Sequence, residues 1–265
     1  MTQTEMDTLI ARCRAELREL FGNRPELAAN APLGTIAPPA DFTGENILSY
    51  LDLTNLKPQT TAEDIAALCK KAAVEGVATV CVNPMWVGYA ASLLGGTSVK
   101  PICVVGFPLG ATLPEAVAAE TAAALRHGAQ EIDMVIPVGL LKSGDFTVVH
   151  AYIAGVVKAA DGVPVKVILE SCKLTDEEVV FGCLLSQLAG ADFVKTSTGF
   201  SMDKRDADGH TGATVHHITL MRRTVGDGMG VKASGGIKTP ADAIALLRAG
   251  ANRLGASGLN TGGGY

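Results

Sequence analysis

Long hydrophobic runs are missing from this chain. Nowhere do about 18 uncharged apolar residues follow one another, so no membrane-spanning helix is expected. The opening residues, M-T-Q-T-E-M-D-T, are polar and acidic, the wrong composition for a secretory leader. Cys13, Cys69, Cys81, Cys103, Cys172 and Cys183 form no C-x-x-C pair, which excludes the common zinc and dithiol motifs. Free buried thiols in a reducing cytoplasm are the expectation. His127, His150, His210, His216 and His217 make up no H-E-x-x-H or comparable ligand set, so neither metal nor cofactor is expected. Basic residues are not in excess: 22 Lys and Arg stand against 27 Asp and Glu, a net charge of -5. That excludes a general nucleic-acid binder and leaves room for a local basic pocket that takes an anionic metabolite.

What is present is apolar mass. Hydrophobic residues make up 48% of the 265 and charged residues 18%, enough for a sizeable core. Residues 7–20 place Leu9, Ile10, Cys13, Leu17 and Leu20 on one helical face, and a stretch with Pro25, Pro32, Pro38 and Pro39 follows. Residues 1–42 therefore read as an N-terminal helical extension ending in a linker, and 43–265 as the main domain. The apolar face of the extension is open between two uses, packing on its own domain or a subunit contact. A homo-oligomer is expected, with a dimer foremost.

From Ile47 short β-rich runs alternate with helical ones. Strands are predicted over 48–53, 77–82, 102–105, 131–136, 165–170, 193–195, 231–233 and 253–255, with helices over 62–74, 85–94, 114–127, 146–160, 176–189, 213–224 and 241–249. Three helices end in the same device, G-A-Q-E, G-A-D-F and G-A-N-R. Strict alternation implies parallel strands with right-handed crossovers. About eight units fit a closed (β/α)8 TIM barrel better than an open sheet, and no G-x-G-x-x-G follows the first strand. After Gly255 the chain is too short and glycine-rich for a closing helix, and the N-terminal helix is expected to cover the surface left bare there.

In such a barrel the reacting groups sit at the C-terminal ends of the strands. Those ends supply Asp52 and Thr54, Cys81 and Asn83, Asp133, Lys166 and Glu170, Lys195, and Lys232. Cys81 reads as structural. Three lysines within apolar strands are costly as packing, although one could pair with Asp133 as a structural ion pair. Lys195 stands directly before the turn Thr196-Ser197-Thr198-Gly199. Burial and a second ammonium lower a lysine's pKa, and an amine kept partly neutral attacks a carbonyl to form a Schiff base. Glycine-rich turns at Gly199, at Gly235-Gly236 with Lys238, and at Gly255 with Ser257 suit a phosphate.

The segments L-D-L-T-N-L-K-P, E-I-D-M-V-I-P, A-D-F-V-K-T-S-T-G-F, V-K-A-S-G-G-I-K-T and R-L-G-A-S-G closely resemble the deoxyribose-phosphate aldolase family, in that family's order, from about Ile47 to Ser257. The resemblance implies a metal-free class I aldolase that reversibly cleaves 2-deoxy-D-ribose 5-phosphate to acetaldehyde and D-glyceraldehyde 3-phosphate. It gives Lys195 the Schiff base, Lys232 the electrostatic perturbation of Lys195, and Asp133 the proton relay. Asp52 and Lys166 fall on the polar network, and Gly199, Gly235, Gly236 and Ser257 on the phosphate turns. Some members carry a lysine where this chain has Phe200, with Lys238 the nearest substitute by sequence, and some end in a tyrosine that assists proton transfer, as Tyr265 would here. The partners implied are a sugar phosphate and aldehydes. The alternative is another sugar-phosphate TIM-barrel aldolase or isomerase.

Overall fold

The computed structural model describes residues 1–28, 36, 38, 39, 42, 46–201 and 211–259. Eight parallel strands close into one barrel in chain order: β1 Leu51–Asn55, β2 Thr79–Val82, β3 Lys100–Val105, β4 Ile132–Val135, β5 Val165–Ile168, β6 Phe193–Lys195, β7 Gly230–Ser234 and β8 Arg253–Ala256. The barrel closes through β8 on β1, with Asp52 opposite Gly255. Side chains alternate along every strand. Leu51 and Leu53, Val80 and Val82, Ile132 and Met134, Val165 and Val167, Val194, Val231 and Leu254 all join the apolar layer under the helices. Their neighbours face inward, and the interior they line is two-sided. Cys81, Ile102 and Val104 of β2 and β3 form a small apolar cluster with Leu56, while Asp52, Asp133, Lys166, Lys195 and Lys232 are buried opposite them.

The outer ring is α2 Ala62–Glu75, α3 Pro84–Leu94, α4 Pro114–Arg126, α5 Val138–Lys142, α6 Phe146–Ala159, α7 Asp176–Leu188, α8 Val215–Val225 and α9 Pro240–Arg248. Threonine caps start several of them: Thr61, Thr175 and Thr239 each accept the N–H three residues on, while Asp64, Glu178 and Asp242 return the bond to the cap. The three G-A tetrads are one repeated helix-to-strand joint. Gly128, Gly190 and Gly250 have φ of 99°, 81° and 114°, a region only glycine enters freely. Ala129, Ala191 and Ala251 then return their N–H to the carbonyls of Ala124, Ser186 and Leu246.

Three expectations are corrected. The residues 47–50 form a short 3-10 turn, and β1 runs on through Asn55. The five-residue helix α5 was unexpected in a segment with a single turn of apolar periodicity. The N-terminal helix α1, Gln3–Phe21, begins a turn earlier than its apolar face suggests, because Thr2 and Glu5 make a capping box. It does not cover the gap after β8. It lies on α7 and α8, with Met6, Ile10, Cys13 and Leu17 buried, Arg14 donating to the Thr224 carbonyl at 2.8 Å and Arg223 paired with Asp7 at 2.6 Å. Its apolar face is thus used within its own chain; Leu20, assigned to that face, is exposed. All six cysteines are free and buried, as expected.

Candidate active site

The inward side chains of β4 to β8 and β1 build one buried polar cluster. Asp133 is its centre. Lys166 donates to its Oδ1 at 2.9 Å, and Lys195 and Lys232 both donate to its Oδ2 at 2.8 Å. Lys195 and Lys232 are register partners on adjacent strands, as are Asp133 and Lys166. Asp52 pairs with Lys232 and, at 2.7 Å, with Arg253. Glu131 stands 2.6 Å from Lys166 and 3.5 Å from Arg253. Gly255 makes room for this: a Cβ there would meet Cε of Lys232 at 3.1 Å.

Four cations, Lys166, Lys195, Lys232 and Arg253, thus meet three carboxylates, Asp52, Glu131 and Asp133. The electrostatics follow from that imbalance. Burial alone would raise the Asp133 carboxyl, but Lys166, Lys195 and Lys232 hold it well below the usual carboxylate range. Burial opposes ionisation of Asp52 too, and Lys232, Arg253 and Lys166 bring it down. Lys232 is pushed above the ordinary lysine range, because Asp133 and Asp52 outweigh its burial, and Lys166 is raised by Asp133, Asp52 and Glu131 against its own burial. Only Lys195 moves the other way. Burial lowers it, Asp133 pulls it back, and Lys232 tips the balance downward. An amine of this kind can form a Schiff base near neutral pH. Burial pushes the Cys81 thiol up to about 11, in keeping with a structural role.

Above the cluster opens a cavity of about 470 Å³, and of the cluster only Lys195 lines it. Its other walls include Gly199, Gly235, Gly236, Lys238, Gly255 and Ser257, so the three glycine turns converge where the sequence predicts. Gly199, Gly235 and Gly236 have φ of 84°, 86° and 76°. The turns are stitched together: Thr196 donates to the Ser234 carbonyl at 3.0 Å, Ser234 to the Ser197 carbonyl at 2.5 Å, and Ala213 N–H to the Gly235 carbonyl at 3.0 Å. Glu170, buried and left-handed at φ 59°, accepts the Thr198 N–H at 3.2 Å and the Thr198 hydroxyl. It anchors the turn rather than joining the charge cluster.

The placement refines the sequence reading. Asp52, Asp133, Lys166 and Lys232 lie within their strands, beneath the mouth, instead of at the strand ends. Phe200 is turned onto Phe107, edge to face at 5.3 Å, and Lys57 joins Lys238 as a cation at the cavity wall. Lys57, Glu131 and Arg253 were missed as site residues. Trp86 and Tyr89 pack along α3 with ring centroids 6.5 Å apart and planes tilted by 54°. Asp176, distant in sequence, does come together with the adjacent His216 and His217 on the outer wall between α7 and α8, with His216 2.8 Å from Asp176. Tyr265, proposed to reach the cavity, lies outside the described residues.

Comparison with known proteins carries the same pattern. Residues 46–263 match the model of the DeoC/LacD family aldolase. The deoxyribose-phosphate aldolase of Brevibacillus brevis is 52% identical over 212 residues, covering 80% of this chain and 92% of that protein. That of Streptococcus gordonii is 53% identical over 208 residues, covering 78% and 91%. Among solved structures, one from Coccidioides immitis superposes with a TM-score of 0.79 at 37% identity over 97% of this chain and 94% of its own. A tetrameric deoxyribose phosphate aldolase from Aeropyrum pernix superposes with a TM-score of 0.72 at 33% identity, over 81% and 88%.

Proposed function

The chain belongs to the DeoC/LacD family of aldolases, and from that premise we propose that it is a lyase that reversibly cleaves 2-deoxy-D-ribose 5-phosphate to acetaldehyde and D-glyceraldehyde 3-phosphate through a lysine Schiff base. The observation that carries the reading is Lys195: the one member of the buried cluster that lines the cavity, and the one whose ammonium form burial and the neighbouring Lys232 disfavour.

The residues divide the work. The phosphate rests on the turns at Gly199, Gly235-Gly236 and Ser257, with Lys238 and Lys57 as cations beside it. The neutral amine of Lys195 attacks the C1 aldehyde; loss of water leaves an iminium, a sink for electrons. The C3 hydroxyl gives up its proton as the C2–C3 bond breaks, glyceraldehyde 3-phosphate departs, and an enamine stays on Lys195. Protonation at C2 and hydrolysis release acetaldehyde and restore the amine. Asp133, which accepts from Lys166, Lys195 and Lys232, is the relay for the protons in play, while Lys232 acts on the Lys195 amine through its field and Lys166 and Asp52 complete the network. Tyr265 is included as a phenol that assists the protonation at C2. The enzyme is read as cytoplasmic and homo-oligomeric. Among the described residues no helix is long and apolar enough to cross a membrane. Sedimentation of the full chain decides between a dimer and the tetramer that the Aeropyrum pernix protein forms.

Borohydride reduction in the presence of acetaldehyde tests the reaction class and the nucleophile together. An ethyl-sized mass increment on the peptide bearing Lys195 is expected. The same increment on Lys166 or Lys232 would overturn the assignment, and no increment would overturn the reaction class.

A further inference from the structure

The lower end of the charged cluster is held by two residues with no counterpart at the cavity. Arg253 opens β8 and Glu131 stands directly before β4. They meet at 3.5 Å, Arg253 hydrogen-bonded to Asp52 and Glu131 in an ion pair with Lys166 at 2.6 Å. Arg253 lies against the Phe193 ring, 6.0 Å from its centroid, on the opposite side of the cluster from the mouth. Neither touches the cavity.

Counting charges gives this pair a purpose. Lys166, Lys232 and Arg253 balance Asp52, Glu131 and Asp133 one for one. Lys195 is then a surplus cation in a buried site, and the cheapest way to remove the surplus is to remove its proton. Take Arg253 away, and Lys195 becomes the third cation that the carboxylates require. Take Glu131 away, and the surplus grows. We propose that Arg253 and Glu131 are positioning residues that set the charge state of Lys195 from the far end of the barrel, Arg253 favouring the neutral amine and Glu131 limiting how far it is favoured.

The groups that face Lys195 are few enough to state. Asp133 from β4, Lys232 from β7 and the protonated Cys81 thiol from β2 act on it directly, and Lys166 from β5 and Asp52 from β1 are tied to it through Asp133 and Lys232. Glu170, after β5, is committed to Thr198. Lys100 approaches Glu131 at 3.7 Å, but it is half exposed and screened by water.

The inference uses Lys195 as the titrating amine, and its test does not depend on catalysis. Competitive labelling with trace acetic anhydride, read by mass spectrometry of the Lys195 peptide across pH, follows the amine whether or not the chain is an aldolase. Failure of the borohydride trap therefore strikes the functional reading and leaves this measurement intact. R253M should move the Lys195 labelling curve toward alkaline pH by about one unit. R253K should stay near the parental curve, E131Q should move toward acid, and E131Q/R253M should return between the two. A purely structural role predicts curves that keep the parental midpoint. That result, or E131Q moving in the same direction as R253M, overturns the proposal. If R253M does not fold, the sign of the E131Q shift decides alone.

Discussion

Replacing Lys232 by methionine removes one positive charge beside the proposed nucleophile while leaving every buried carboxylate a partner. Asp52 keeps Arg253 at 2.7 Å, and Asp133 keeps Lys166 at 2.9 Å and Lys195 at 2.8 Å. The variant should therefore fold. Lys195 and Lys232 each lie 2.8 Å from the same Asp133 oxygen, which keeps their nitrogens no more than about 5.6 Å apart. At an effective dielectric constant of about 20, two unit charges at that distance repel by roughly 3 kcal/mol, or about two pKa units. Loss of Lys232 also leaves Asp133 freer to hold the Lys195 proton, which acts in the same direction. The sign is unambiguous: the Lys195 amine is lowered in the native cluster, so removing a cation raises it, and the neutral form becomes scarcer at neutral pH. At pH 7 kcat/KM should fall about 100-fold, and the acid limb of the pH–rate profile should move up by about two pH units, with much of the loss recovered on the alkaline side. The assay is the cleavage rate from pH 5.5 to 10, with near-ultraviolet dichroism to establish the fold. A reduced rate at an unmoved limb would mean that Lys232 acts as a proton donor and not through its field. A near-normal rate would remove it from the mechanism.

Three further outcomes follow from the packing. In Gly212→Ala the new Cβ would meet the Gly235 carbonyl oxygen at 2.2 Å; displacing that turn should raise KM for the phosphorylated substrate by roughly 10–100-fold, while borohydride trapping with acetaldehyde alone persists. In Gly230→Ala the Cβ would stand 2.0 Å from the Phe193 ring, which lies 5.9 Å from the Lys166 ammonium; overpacking of about 2–3 kcal/mol should lower Tm by roughly 5–10 °C on a thermal melt. Asp52 and Asp133 are depressed in the folded chain, so the stability they confer is complete above the unfolded value of 3.8 and is lost as pH falls through their lower folded values. Thermal melts should accordingly hold steady from pH 7 to 5 and drop steeply below about 4, and Asp52→Asn should make that acid drop shallower.

The barrel was legible because its two periodicities are clean. Strand residues alternate without exception at the wall, and the capping threonines and tetrad glycines mark the helix ends. Lys195 was legible for a related reason, since a lysine closing a three-residue apolar strand has no cheap structural use. What stayed hidden depended on partners. An amphipathic helix declares a face but not what the face meets, and the apolar stripe of α1 was assigned to the gap after β8 when α7 and α8 receive it. Depth was hidden as well. Asp52, Asp133, Lys166 and Lys232 were taken as strand ends because reacting groups gather at the C-terminal ends of barrel strands, whereas here they sit inside the strands.

Glu131 and Arg253 were overlooked for the opposite reason, since they stand at the strand starts, the end of a barrel where stability is expected and chemistry is not. Yet a signal for them is present. In each tetrad the glycine ends the helix and the alanine returns its N–H to the helix carbonyls. The third residue donates its own N–H to the strand before, Gln130 to Pro101, Asp192 to Val165 and Asn252 to Val231. That bond fixes the register, so the fourth residue always enters the barrel interior. The three fourth residues are Glu131, Phe193 and Arg253, and they meet: Arg253 pairs with Glu131 and lies over the Phe193 ring. A repeat first seen as a way of ending helices is therefore also a way of aiming side chains. Two charges and an aromatic ring at equivalent positions of that repeat are, on this geometry, a floor beneath the cluster, and the charge on the floor bears on the amine at the mouth.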